Sequence, residues 1–309
     1  MSTAFHLNNK EARRELDVYV NNRRLNFQAT TTYLGVKLDR SLTFRQHLAG
    51  LRDKVMARSA LIRRLAGTGW GASAATLRTS ALALVYAPAE YCAPAWSRSK
   101  NTKLLDVSIN STLRTITGCV QATPTELLPA LAGIPPADLR QQAATLALAQ
   151  RALEPNHILH HVINRDQEEP RLKSRRPFAP CAKELLSSVS PTETKADWTA
   201  RKWQEKWTKS PTTLHKFIQN PNERCKGFDL PRQSWVRLNR LRTGVGRFKA
   251  DMWRWGLAKS PSCECGVERQ TAEHIISDCP SLGLPNGVAG LIEVDADTRE
   301  WLARKHPEI

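Results

Sequence analysis

Residues 41–65, SLTFRQHLAGLRDKVMARSALIRRL, decide the fold class. Leu48, Leu51, Val55, Ile62 and Leu65 fall within about 100° of arc on a wheel of 3.6 residues per turn, which is the stripe of an amphipathic helix. Arg45, Arg52 and Arg63 line one flank of that stripe, and Gly67, Gly69 and Gly71 end the pattern. Upstream the period is different. Leu16, Val18 and Val20 alternate with Asp17, Tyr19 and Asn21, the period of a strand. Asn21-Asn22 can adopt the positive φ angles of a tight hairpin turn, and Leu25-Asn26-Phe27 returns. A second strand is predicted over Tyr33–Leu38.

Downstream the helical period continues. The pattern predicts helices from Ala74 to about Ala87, where Pro88 ends or kinks it, from Lys103 to Gly118, and from Ala137 to Leu153 behind Pro135-Pro136. Residues 164–195 mix charge with Pro and Ser and have little periodicity. Trp198, Trp203 and Trp207 then share one face of a further helix, where packing outweighs base stacking. The expected architecture is mainly α. A small β element (1–40) precedes a helical bundle (41–160), a linker (161–195), a Trp-containing and basic helical region (196–260), a small knuckle (261–282) and an acidic tail (283–309).

The 309 residues carry 46 Lys and Arg against 29 Asp and Glu, a net charge of +17. A surplus of this size points first to nucleic acid as a partner. It is also patterned: residues 231–260 hold 8 basic residues and 1 acidic, whereas residues 261–309 hold 4 basic and 9 acidic. No apolar run reaches the ~18 residues of a membrane span, and no secretory signal opens the chain. Seven cysteines, an odd number, then fit reduced thiols or metal ligands better than a disulfide framework. A soluble chain, nuclear or cytoplasmic and without a membrane partner, is expected.

The most specific short pattern is Cys263-Glu-Cys265-Gly, followed by His274 and Cys279-Pro280. Zn²⁺ takes four N or S ligands in a tetrahedron, and four protein ligands make a closed, structural site. Cys263, Cys265, His274 and Cys279 are therefore the candidate zinc ligands. Their segment is too acidic to grip phosphate itself, so its expected role is to clip the fold and present the basic neighbour. In that neighbour Arg237, Arg240 and Arg242 are expected to form a phosphate-gripping ridge with Val236, Leu238 and Leu241 inward. Arg247, Lys249 and Arg254 are further candidates, and the interleaved aromatics could stack on unpaired bases. Thr243-Gly-Val-Gly lacks the Lys-Ser/Thr of a phosphate loop. His157, His160 and His161 read as helix surface. No Asp-Asp pair occurs, so the clustered carboxylates of a catalytic Mg²⁺ site are missing.

Several separate motifs resemble one family. Thr32-Tyr33-Leu34-Gly35-Val36-Lys37-Leu38-Asp39, with Leu42-Thr43-Phe44 and His47-Leu48 behind it, looks like the segment after the polymerase palm in reverse transcriptases of jockey-like non-LTR retrotransposons. Leu65 to Gly71, Ala89-Glu90-Tyr91-Cys92-Ala93-Pro94-Ala95-Trp96 and Arg114-Thr-Ile-Thr-Gly118 resemble it too, and the Cys-Cys-His-Cys motif is similar to the C-terminal knuckle of such elements. The resemblance implies an RNA-directed DNA polymerase in which Tyr33, Leu34, Gly35 and Val36 form a primer-grip-like strand. It also implies that residues 41–155 form a thumb holding the template–primer duplex, with Arg45, Arg52 and Arg63 as backbone contacts. The fingers and catalytic palm of that family are not in this sequence. The expectation is thus a C-terminal fragment that binds RNA, an RNA–DNA template–primer or possibly DNA, without polymerase activity. The alternatives are a piece of an intact reverse transcriptase and a host-recruited structural or interaction protein.

Overall fold

A computed structural model describes residues 1–6, 8–67, 69–165, 176–190, 192–304 and 309. Among the described residues the strands form two hairpins. Strands β1 (Tyr19–Val20) and β2 (Arg23–Arg24) pair antiparallel, Val20 opposite Arg23. Asn21 and Asn22 supply the positive φ angles of the turn, 47° and 58°, as their side chains allow. Strands β3 (Thr30–Tyr33) and β4 (Val36–Asp39) pair with Tyr33 opposite Val36 and Thr30 opposite Asp39. This corrects the expected continuous strand over Tyr33–Leu38. Leu34 and Gly35 both lie in the left-handed region, at φ 46° and 80°, so the chain reverses there and Tyr33–Val36 is a hairpin tip.

The rest is mainly helical. In chain order the longer helices are α1 (Arg45–Arg63), α2 (Ala74–Ala81), α3 (Lys103–Thr117), α4 (Ala137–Arg151) and α5 (Phe178–Ser187). They continue with α6 (Lys195–Thr208), α7 (Arg232–Thr243), α8 (Lys249–Arg254), α9 (Ala272–Ser277), α10 (Gly287–Glu293) and α11 (Ala296–Ala303). The helix expected from Ala74 continues past α2 as a π-helical turn, Leu82–Tyr86, and a last short turn, Ala87–Ala89, that contains Pro88. The apolar stripe of α1 is buried at Leu48, Leu51, Val55 and Ile62, while Leu65 lies beyond the helix and is half exposed. Among the described residues no helix is long and apolar enough to cross a membrane.

The chain forms two compact units, neither of them a continuous segment. The first comprises Met1–Ala57, Tyr86–Ser108 and Ala137–Thr199. Here Asp39, at the end of β4, accepts hydrogen bonds from the Thr43 and Phe44 backbone N–H groups (2.9 and 2.7 Å), which fixes the hairpin to the start of α1. Ser99 Oγ donates to the Thr43 carbonyl at 2.6 Å. Arg140 forks onto Glu90 and lies 5.2 Å over the Tyr86 ring. Ala149, Ala152, Ile163 and Ala182 form one small core with Phe178, and Ala143, Leu146 and Trp198 form another. The stretch expected as linker thus contains a packed helix, α5, because its Ala and Leu residues have a helical face to bury. Residues 166–175 of that stretch lie outside the described residues.

The second unit comprises Arg58–Val85, Ile109–Pro136 and Ala200–Ile309. Its centre is α7, whose Trp235, Val236, Leu238 and Leu241 are buried, as the sequence predicts for the last three. The end of α3 meets this helix at Gly118. A Cβ built there would lie 2.2 Å from Val236 Cγ2, and its φ of 73° is one that side chains rarely adopt. The expected acidic tail is likewise structured: residues 283–304 contain α10 and α11, which pack on α7 and bury Leu291, Trp301 and Leu302. Residues 305–308 lie outside the described residues.

Candidate metal centre and basic helix

Cys263 and Cys265 stand on a tight knuckle of the second unit. The Cys263 N–H donates to the Val267 carbonyl at 2.8 Å, the Gly266 N–H donates to the Cys263 carbonyl at 3.1 Å, and Gly266 supplies the φ of 91° that the turn requires. His274 comes from the first turn of α9, which Thr271 caps by accepting the His274 N–H at 3.2 Å. Cys279 follows just past the end of that helix. These elements bring one ligand atom from each of Cys263, Cys265, His274 and Cys279 to within 4.8 Å of one another. Among the described residues no other group of three or more His, Cys, Asp or Glu side chains does this.

The donor set fits a metal ion. Cys263 Sγ and Cys279 Sγ are 3.7 Å apart, and Cys265 Sγ lies 3.2 Å from His274 Nε2. A tetrahedron with metal–sulfur bonds of about 2.3 Å has sulfur–sulfur edges of about 3.8 Å, far from the ~2.05 Å of a disulfide. Burial alone pushes the Cys279 thiol up. The hydrogen bonds it receives from Ser281 Oγ, from the Leu282 and Ser281 backbone N–H groups and from Cys263 outweigh burial and bring it down to about 6. The Leu282 N–H approaches its sulfur at 3.3 Å. Thiolate is the form a metal needs.

Gln270 joins this cluster to the basic stretch, and the sequence reading missed it because glutamine is not a ligand type. It is 3% exposed, and its Nε2 donates to Cys263 Sγ at 3.7 Å. Its Oε1 accepts the Lys249 N–H at 2.9 Å and its backbone carbonyl accepts the Ala250 N–H at 3.1 Å, so it satisfies the first turn of α8. The outer face of α8 carries Trp253, 50% exposed, and Arg254, with Arg247 exposed just before it. Lys249 Nζ is 3.2 Å from Glu264, and Arg254 is 2.7 Å from the largely buried Asp251; both cations remain solvent-accessible. Lys259 and Arg269, not singled out by pattern, are exposed as well.

The expected arginine ridge on α7 is not formed. Arg237, Arg240 and Arg242 are 4, 5 and 2% exposed, and Arg232 joins them at 6%. Each guanidinium caps a helix C-terminus. Arg232 donates to the Thr115 and Ile116 carbonyls and Arg240 to the Gly118 carbonyl, all at the end of α3. Arg237 donates to the carbonyls of Leu302 and Arg304 at the end of α11, and its guanidinium lies 5.0 Å over the Trp301 ring. Arg242 donates to Leu291 in α10 and to Lys226. Helix C-termini expose orphan carbonyls and negative dipole ends, which a buried cation satisfies without any carboxylate. Burial pulls Arg232 and Arg237 down to about 10, still charged at neutral pH.

Arg45 is exposed, Arg52 is bound to Asp53 at 2.8 Å, and Arg63 donates to Ser111 Oγ at 2.7 Å. At the hairpin tip Tyr33 and Leu34 are 66 and 71% exposed while Val36 is buried. Trp198, Trp203 and Trp207 are all buried and serve packing.

Fold and site together define a basic, mainly helical protein with a Cys₃His cluster. Among curated proteins the chain is similar to the Retrovirus-related Pol polyprotein from type-1 retrotransposable element R1 4 of Nasonia vitripennis, 24% identical over 91% of this chain and 69% of the relative. It is similar to the corresponding R1 2 polyprotein of the same organism, 25% identical over 83% of the chain and 60% of the relative. A third, the R1 polyprotein of Bradysia coprophila, is 22% identical over 85% of the chain and only 25% of its own length. No family model and no solved structure matches the chain. The similarity runs along nearly the whole chain and supports a non-LTR retrotransposon protein.

Proposed function

We propose that this chain is the nucleic-acid-holding, C-terminal part of a jockey-like non-LTR retrotransposon reverse transcriptase, and that it binds RNA or an RNA–DNA template–primer in the nucleus or cytoplasm without itself carrying the polymerase aspartates. The observation that carries this reading is the link through Gln270, which ties the Cys₃His cluster to the first turn of a helix with exposed Trp253 and Arg254. On this reading the cluster holds a structural Zn²⁺ through Cys263, Cys265, His274 and Cys279. The metal supplies folding energy and no chemistry. Arg247, Lys249 and Arg254 meet phosphates, joined by Lys259 and Arg269, and Trp253 stacks on an unpaired base. In the first unit Arg45, Arg52 and the exposed hairpin tip at Tyr33 and Leu34 are further backbone contacts, and Arg63 is one in the second.

The test is a titration of the full, zinc-loaded chain with a labelled RNA–DNA template–primer across a salt series. Log K is expected to fall linearly with log salt. The double variant Arg247→Ala with Arg254→Ala should weaken binding equally on all sequences and reduce the salt slope by roughly 1.5. No binding at low salt by a folded chain, or binding indifferent to salt, overturns the reading.

A further inference from the structure

The first unit holds a cavity of about 500 Å³ that none of the roles above uses. Strands β3 and β4 form one side of it, α1 another, and the turn Ala87–Tyr91 closes a third. Its charged groups are two lysines, and Thr32 adds a hydroxyl. His47, on α1, is 8% exposed, and its Nδ1 accepts the Lys37 N–H at 3.4 Å. With Nδ1 as acceptor, the proton of the neutral ring belongs to Nε2, which is buried and closed off from the cavity, so His47 lines the wall with its ring carbons. Lys37 from β4 and Lys54, two turns along α1 from His47, line the same cavity, and among the described residues neither pairs with a carboxylate. The remaining wall is apolar: Leu51, Pro88 and the Tyr91 ring, whose hydroxyl is turned away to the Leu34 carbonyl at 3.0 Å. Gly50 leaves the floor open, since a Cβ there would touch nothing within 4 Å.

We propose that this cavity binds a phosphate monoester carried on a planar, apolar body, the chemistry of a nucleoside monophosphate, either free or at the 5′ end of a strand. Two unpaired ammonium groups suit the charge of about −1.5 to −2 that a phosphate monoester carries at neutral pH better than the single charge of a carboxylate. The volume lies within the range of small-molecule sites, and the Pro88 and Tyr91 side supplies a flat surface for a base. The inference stands apart from the basic stretch of the second unit, so the two readings fail separately.

The experiment is calorimetric titration of the full chain with 5′-AMP, adenosine and inorganic phosphate. 5′-AMP is expected to bind at least tenfold more tightly than adenosine or phosphate alone. Lys37→Ala with Lys54→Ala, both at exposed positions, should weaken 5′-AMP at least tenfold with an unchanged melting temperature. Arg247→Ala with Arg254→Ala should leave 5′-AMP affinity unchanged. A 5′-phosphorylated hexanucleotide that outcompetes its 5′-hydroxyl counterpart assigns the site to strand ends, and equal competition assigns it to free nucleotide. The proposal is overturned if 5′-AMP does not bind, if adenosine binds equally well, or if the lysine double variant binds 5′-AMP like the parent.

Discussion

Arg232 Nη1 lies 2.7 Å from the Ile116 carbonyl oxygen, and the same carbonyl also accepts Trp235 Nε1 at 3.0 Å. One turn of α7 thus closes the C-terminus of α3 with a charged and a neutral donor. Charge-assisted hydrogen bonds contribute about 1.5–3 kcal/mol each, and Arg232 makes two of them to the last turn of α3. Arg232→Met should cost about 3 kcal/mol in urea unfolding, with little change in the unfolding slope. Its affinity for nucleic acid, measured on the folded fraction, should stay within twofold. A variant that unfolds normally but loses binding would mean that Arg232 reaches ligand and does not cap the helix.

Metal removal gives the second test. The purified chain is expected to carry one Zn²⁺, and a strong chelator should release it with a clear fall in melting temperature. Cys279→Ser should lose the metal, because its sulfur is the one that the surrounding N–H groups hold as thiolate. Gln270→Ala should retain metal more weakly, since the carboxamide orients Cys263 while also satisfying α8. Elemental analysis reads both, and a chain that holds no metal in any preparation would remove the zinc reading.

Much of this was legible in the sequence, in proportion to how local its cause is. The α1 stripe, α3, α4, the Asn21-Asn22 turn and the Cys₃His set follow from spacing alone, since each depends on residues within one or two turns. The burial of Arg237, Arg240 and Arg242 was not legible. A helix with cations on several faces reads as solvated unless one knows that three helix C-termini will converge on it, and those carbonyls come from about 50 to 120 residues away. Leu34-Gly35 misled for the opposite reason: a β-like apolar run conceals a turn that only the φ angles reveal.

A third prediction follows from the approach of α3 to α7. Gly118→Ala must place a methyl group 2.2 Å from Val236 Cγ2 in a left-handed backbone conformation. Both effects oppose the native state, so the loss should reach about 2–4 kcal/mol. Gly118→Ala combined with Val236→Ala should recover part of it by clearing the clash. Denaturant midpoints of the four proteins form a cycle, and strict additivity would show that the two residues do not meet as described.

The last prediction concerns pH. Burial, then the charges of Lys37 and Lys54, hold the His47 imidazole below its ordinary value of 6.5. Lys37 faces it from β4 and Lys54 from α1, and on its other side is the neutral Trp96 ring, 6.3 Å away. The sign follows from proton binding: below about pH 6.5 the unfolded chain takes up a proton at this histidine that the folded chain resists. Its contribution to stability is therefore complete above that pH and is lost progressively as the pH falls through the lower folded value. His47→Gln should flatten the slope of stability below about pH 6.5 relative to the parent. A phosphate-bearing ligand in the cavity should pull in the opposite direction, raising the His47 value on binding, because an anion against the wall that His47 lines offsets the lysine charges and favours the protonated ring. The imidazole resonances followed by NMR with and without 5′-AMP distinguish the two states directly, and an unchanged titration curve would mean that no anion enters beside His47.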